Sequence, residues 1–255
     1  MYRGGIVIKT PEQIESMAVA GSIQARCLRM LRSKCRPGVT TGELDQAAER
    51  FIESQGAEPS FLGYRGFPGS ICTSPNSMVV HGIPGDYELR RGDLLSIDVG
   101  VTKDGWVADA AITVPIGEAT PEAKQLLSTT QAALHAGTAQ ARPGNHLGDI
   151  SHAIQARVES DGLSIIRSLV GHGVGRDMHE DPQVPNHGEP GRGPELEAGM
   201  VLAIEPMVNA GGPEVRLGDD GWAVYSADGS LAAHFEFTVA ITPDGPRILT
   251  PWHEG

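Results

Sequence analysis

The chain has 255 residues, enough for one large domain or two small ones with a substantial core. With 40% apolar and 20% charged residues it has the make-up of an ordinary soluble globular protein. A formal charge of −12 argues against a nucleic-acid surface, and three cysteines, odd in number and without C-x-x-C spacing, point to reduced thiols.

The first ten residues hold an apolar core of only Ile6 to Ile8, too short for a signal peptide, and no apolar run is long enough to cross a bilayer. Reduced thiols and a cytoplasmic location are expected. Thr10-Pro11-Glu12-Gln13 carries helix-start chemistry, so a helix is predicted from there to about Lys34, ahead of Arg36-Pro37-Gly38. A second helix is predicted from Thr41 to before Gly56. Residues 57 to 91 alternate short apolar runs with glycine and proline, the pattern of strands and loops.

From Gly92 to Pro115 the chain reads as a β-hairpin. An apolar run, Leu94 to Val101, is interrupted by Asp98, Lys103-Asp104-Gly105 supplies the turn, and Trp106 to Val114 returns with Asp109 inside it. A turn centred between Lys103 and Asp104 sets Asp98 opposite Asp109, within one residue for a glycine bulge. Two carboxylates facing each other among apolar neighbours need a shared proton or a cation.

Thr120-Pro121-Glu122 opens a third helix with the same cap chemistry as the first, and the echo continues. Arg36-Pro37-Gly38 with Gly42-Glu43-Leu44 returns as Arg142-Pro143-Gly144 with Gly148-Asp149-Ile150, displaced by 106 residues. Glu88-Leu89, Gly92, Leu95 and Ile97-Asp98 return as Glu195-Leu196, Gly199, Leu202 and Ile204-Glu205, displaced by 107. Two related halves are inferred, about 1–117 and 118–250, packed as one α+β domain over 1–255 because a lone half would leave apolar faces bare. The repeat maps Asp98 onto Glu205, so each half offers an acid at the same strand position. Glu236, in His234-Phe235-Glu236-Phe237, is a fourth acid read as embedded in an apolar strand.

Gly171-His172-Gly173-Val174-Gly175 adds an imidazole flanked by glycines. Four carboxylates and one imidazole suit Mn²⁺, Fe²⁺, Co²⁺ or Zn²⁺, and charge balance favours two ions over one. Two ions roughly 3.5–4 Å apart hold a hydroxide and polarise a carbonyl, which is hydrolytic chemistry.

At these residues the sequence closely resembles the type I bacterial methionine aminopeptidases and, more broadly, the two-metal pita-bread peptidases. The resemblance covers nearly the whole chain. It is carried by Leu62-Gly63-Tyr64-Arg65-Gly66-Phe67-Pro68, Val80-His81-Gly82-Ile83-Pro84, Ile97-Asp98, Asp109, Gly171 to Arg176, His179-Glu180, Ile204-Glu205-Pro206-Met207 and Phe235-Glu236. It implies a pita-bread fold of helices on antiparallel sheets, with two pseudo-twofold halves, and removal of initiator methionine from nascent chains and peptides whose second residue is small. It implies Asp98 on one metal, His172 and Glu205 on the other, and Asp109 and Glu236 bridging both. His81 would meet the substrate amide or shuttle a proton, His179 would hydrogen-bond the scissile carbonyl, and Glu205 would also take a proton from the attacking water. Tyr64, Phe67, Cys72, Met178 and Trp222 would line the methionine pocket.

The family habit implies a monomer, with nascent chains as partners, a transient contact with the ribosome, and neither DNA nor membrane. No zinc finger or SH3-ligand region is expected ahead of the domain. Gly100, Ala110-Ala111 and Phe237 stand where the family commonly has threonine, Thr-Ser and histidine, and Met178 stands for a frequent phenylalanine. The first three remove groups that orient ligands. His135, His146, His152 and His253 are read as structural or exposed, His187 as a surface-loop residue and Trp106 as packing. Cys72 reads equally as pocket wall or small core residue. Two rivals are an X-Pro peptidase, whose relatives normally carry a further N-terminal domain, and a metal-free binding protein on the same fold.

Overall fold

A computed structural model describes residues 5–254; the ends of the 1–255 domain, residues 1–4 and 255, lie outside the described residues. Four helices pack on antiparallel sheets. Helix α1 spans Pro11–Lys34 and α2 spans Thr41–Ser54, followed much later by α3, Pro121–Gln140, and α4, Leu147–Ser160. The predicted starts hold for local reasons. Thr10 and Gln13 close a capping box on α1, Thr40 and Glu43 close another on α2, and Thr120 accepts from Ala123 N–H at the head of α3.

The first half is centred on the hairpin of Leu94–Lys103 and Trp106–Pro115, flanked by Glu58–Pro59 and Cys72–Pro75. The second is centred on a five-stranded sheet in the order 245–248, 237–242, 201–204, 170–173, 180–185. Helix α1 lies on the hairpin, where buried Gln24 donates from Nε2 to the carbonyls of Val99 at 3.3 Å and Ala110 at 2.9 Å.

The repeat extends to individual backbone bonds. Isolated bridges join Thr40 to Glu88 and, 106 to 107 residues on, His146 to Glu195. Gly42 N–H donates to Gly85 O at 2.8 Å, and its counterpart Gly148 donates to Arg192 O at the same distance.

Two expectations are corrected. The hairpin turn is the two-residue Asp104-Gly105, both at positive φ (51° and 73°), with Lys103 opposite Trp106. That is the backbone a two-residue hairpin prefers, and it advances the register by one residue from the expected centre. Asp98 therefore pairs with Ala111 and Asp109 with Gly100, so the two acids are diagonal neighbours on one face rather than directly opposed. Nor are Glu205 and Glu236 inside strands. The strand Val201–Ile204 ends just before Glu205, where Pro206 lacks a donor N–H, and Glu236 lies between Ala232–His234 and Phe237–Thr242. Both sit where the chain leaves a ladder.

Candidate metal centre

The hairpin brings Asp98 and Asp109 to the lining of a cavity, and the five-stranded sheet brings His172, with Glu205 and Glu236 just beyond its strand ends, to the same lining. Backbone bonds fix the seam between them. Glu236 N–H donates to Ala111 O at 3.0 Å. Thr238 Oγ1 accepts from Asp109 N–H at 3.0 Å and donates to Asp109 O at 2.7 Å. Asp109 and Glu236 thus arrive side by side from opposite halves.

His172 Nδ1 pairs with the Gly173 carbonyl at 2.9 Å, which fixes the tautomer with its proton on Nδ1 and leaves Nε2 bare. That bare nitrogen lies 3.6 Å from Glu205 Oε1 and 3.9 Å from Asp109 Oδ2. One donor atom each from Asp109, His172 and Glu236 fall within 4.8 Å of one another. Donors sharing an ion at 2.0–2.2 Å stand about 3–4 Å apart, so the spacing suits a common cation better than direct hydrogen bonds.

The electrostatics agree. Burial first, then the neighbouring charges of Asp109 and Glu205, raise the Asp98 carboxyl well above the carboxylate range. Burial also raises Glu205 and Glu236, each helped by the charge of Asp109, and raises Asp109 itself. Burial holds His172 down at about 4, so the ring is neutral and able to bind metal. Asp98 Oδ1, Asp109 Oδ1 and Glu236 Oε1 are buried without a hydrogen-bond partner. A group of acids so placed is satisfied by divalent cations, and the donor set fits them.

Around the acids the cavity wall is formed by Phe61, Tyr64, Arg65, Phe67, Cys72, Val80, His81, Leu169, Val170, His179, Met207 and Trp222. Phe67 meets Trp222 edge to face at 5.1 Å. Tyr64 Oη lies 2.9 Å from His179 Nδ1, and the two rings stack at 5.5 Å. When the phenol donates, His179 keeps its proton on Nε2 and presents a donor to the cavity. His179 and His172 are 4.2 Å apart by ring centre. His81 sits at φ 60°, a left-handed conformation uncommon for a side-chain-bearing residue. Next to it, position 82 must be glycine: a Cβ there would stand 2.1 Å from Thr73 O, and Gly82 N–H and C=O are both tied to the strand Cys72–Pro75.

The cavity brings together every residue singled out from the sequence except Met178. That side chain is buried in an apolar cluster with the wall residues Phe61, Phe67 and Cys72 and with Trp106, but does not itself line the cavity. The reason is local: Gly100 leaves a hollow beside Phe61, and the Met178 methyl fills it. Sequence reasoning misses His234. It is 2% exposed, with Nε2 at 3.7 Å from Glu205 Oε2 and 3.8 Å from Glu236 Oε2. A signal exists, because His234 and Glu236 are two residues apart in a strand-like run and so share a face.

The sequence profile of metallopeptidase family M24 matches residues 15–243. The chain belongs to that family. It is 53% identical over 245 residues to the methionine aminopeptidase of Clostridium perfringens, covering 96% of this chain and 98% of that protein. It is 51% identical over 245 residues to methionine aminopeptidase 1 of Bacillus subtilis, covering 96% and 99%. The crystal structure of methionine aminopeptidase from Rickettsia prowazekii superposes with a TM-score of 0.95 at 41% identity, covering 96% of this chain and all of that one. The α+β pita-bread fold and the resemblance to the methionine aminopeptidases are therefore established. No helix among the described residues is long and apolar enough to cross a membrane.

Proposed function

We propose that the chain removes N-terminal methionine from nascent proteins and peptides whose second residue is small, using two divalent ions held by Asp98, Asp109, His172, Glu205 and Glu236. The observation that carries this reading is that those five side chains line one cavity together with aromatic and apolar side chains, with donor atoms of Asp109, His172 and Glu236 within 4.8 Å of one another. Its relatives of about half identical sequence, named as methionine aminopeptidases, support the same assignment.

Bound there, two divalent ions would supply an attacking hydroxide at neutral pH and polarise the scissile carbonyl. In this reading Asp109 and Glu236 would serve both ions, Asp98 would serve one, and His172 with Glu205 the other. Glu205 is assigned the proton from the attacking water. Its raised affinity for protons, set by burial and by Asp109, suits that task. His179, with Tyr64 behind it, is assigned to the carbonyl oxygen as charge develops. His81 is assigned to the substrate amide. Phe67, Trp222, Tyr64 and Cys72 offer an unbranched thioether soft and aromatic contacts.

The same reading makes the protein a cytoplasmic monomer, one domain of two halves, that meets nascent chains near the ribosome. Co²⁺, Mn²⁺, Fe²⁺ and Zn²⁺ all suit the donor set, and availability decides among them. The test is metal content with turnover of Met-Ala-Ser against acetyl-Met-Ala-Ser. Metal-dependent release of methionine from the free amino terminus alone is expected, with loss of metal and activity together in Asp109→Ala. Chelator-insensitive turnover, or normal turnover in that variant, would overturn the assignment.

A further inference from the structure

We propose that His234 is a positioning residue of the metal centre, holding the outer oxygens of Glu205 and Glu236 so that these carboxylates face the ions. The inference rests on the ligand set proposed above and adds a residue to it.

His234 ends the strand Ala232–His234 and is 2% exposed. Thr113 pins its backbone from both sides, donating from Oγ1 to His234 O at 2.8 Å and accepting from His234 N–H at 2.9 Å. The ring has no such anchorage: neither Nδ1 nor Nε2 has a hydrogen-bond partner. A buried polar group without a partner is costly, so an imidazole serving only to fill space here would be a poor choice beside an apolar residue of the same size.

What the ring faces supplies the reason. Nε2 lies between Glu205 Oε2 and Glu236 Oε2, at 3.7 and 3.8 Å. The other Glu205 oxygen, Oε1, faces His172 Nε2 at 3.6 Å. Glu205 therefore has an imidazole at each oxygen, His172 among the ligands and His234 at the far side. These separations resemble those of His172, but the donor atoms that gather within 4.8 Å of one another are those of Asp109, His172 and Glu236, a group without His234. The ring is therefore read as a donor to the carboxylates, and with its proton on Nε2 a small tilt brings it to either one. A carboxylate held at its outer oxygen has its inner oxygen aimed, and the groups that do this for ligands tune metal affinity. Gly100, Ala110 and Ala111 provide no side-chain donor near Asp98 and Asp109, which leaves His234 as a polar side chain facing two of the four acids.

The test is a titration of metal-free protein with Mn²⁺ by calorimetry, for the parent, His234→Ala and His234→Gln, with the melting temperature of each metal-free protein recorded alongside. His234→Ala is expected to bind Mn²⁺ about 10–100-fold more weakly, and His234→Gln, which keeps a donor of similar reach, to recover most of that loss. If the alanine variant does not fold, His234→Leu fills the volume without a donor and takes its place. Parent-like affinity in His234→Ala or His234→Leu overturns the proposal. So does an equal loss in the apolar and glutamine variants, which would mark Nε2 as a direct ligand. A parent protein that binds no Mn²⁺ instead removes the ligand set itself, a result distinct from either.

Discussion

The methyl of Met178 occupies the hollow in front of Gly100: a Cβ on that glycine would stand 2.8 Å from Met178 Cε and 2.7 Å from Phe61 Cε1. Gly100 is also the register partner of Asp109. Gly100 and Met178, two of the departures from the family pattern that the sequence suggests, are thus two sides of one packing arrangement. Gly100→Thr alone is expected to overpack the site and lower stability by about 1–3 kcal/mol. Adding Met178→Ala should return only part of the loss, because the obstructing methyl goes while Phe61 Cε1 stays. Thermal denaturation of the single and double variants checks this, and a single variant as stable as the parent contradicts it.

A second expectation concerns pH. Asp98, Asp109, Glu205 and Glu236 are all raised, chiefly by burial, so their protonated forms favour the folded state. That contribution is complete below the unfolded values of about 4 and is lost as pH climbs through the folded ones, about 7 for Asp109. Metal-free protein should therefore melt at progressively lower temperature from about pH 5 to pH 8. Mn²⁺ should reverse the trend, since it neutralises the acids and binds only the folded chain. Melting curves in chelator and in Mn²⁺ read both arms, and a profile in chelator that rises with pH would count against the argument.

Tyr64→Phe removes the hydroxyl 2.9 Å from His179 Nδ1 while keeping the stacked ring. The imidazole then loses the partner that fixes its tautomer. A fall in kcat of about tenfold is expected, the lower end for a partner behind a reacting group, with KM for Met-Ala-Ser little changed. A change confined to KM would instead assign Tyr64 to the pocket wall alone.

Lys9 and Glu180 form a buried ion pair at 2.5 Å beside His179, with side chains 2% and 9% exposed. Glu180 Oε1 also accepts from Arg176 N–H at 2.8 Å. Lys9→Met leaves a buried carboxylate with backbone donors only, and should cost about 3 kcal/mol. Replacing both residues with apolar ones, Lys9→Met with Glu180→Leu, should cost less than the single change if the penalty comes from the stranded charge. Denaturant titration of the two proteins decides.

Much of the site is legible in the sequence because its signals are local or repeated. Acids at Asp98, Asp109, Glu205 and Glu236 interrupt apolar runs, and the echo of Ile97-Asp98 in Ile204-Glu205 links two of them through the repeat alone. Helix starts at Thr10 and Thr120 are legible from cap chemistry. What escapes depends on more than the local pattern. The turn Asp104-Gly105 shifts the hairpin by one residue, because both residues accept positive φ and the composition of the three-residue segment does not fix its centre. Met178 reads as a pocket residue because a residue's side of a wall depends on its neighbours, here Gly100 and Phe61. His234 is easily passed over because its meaning lies in Glu205, far along the chain, as much as in Glu236.

The matched bridges Thr40–Glu88 and His146–Glu195 mark how the candidate centre is divided along the chain. Asp98 and Asp109 follow the first bridge and precede the second, whereas His172, Glu205 and Glu236 belong to the stretch that holds or follows the second. A cut in the connection between them would put two of the five side chains on one piece and three on the other, so neither piece alone would carry the full set.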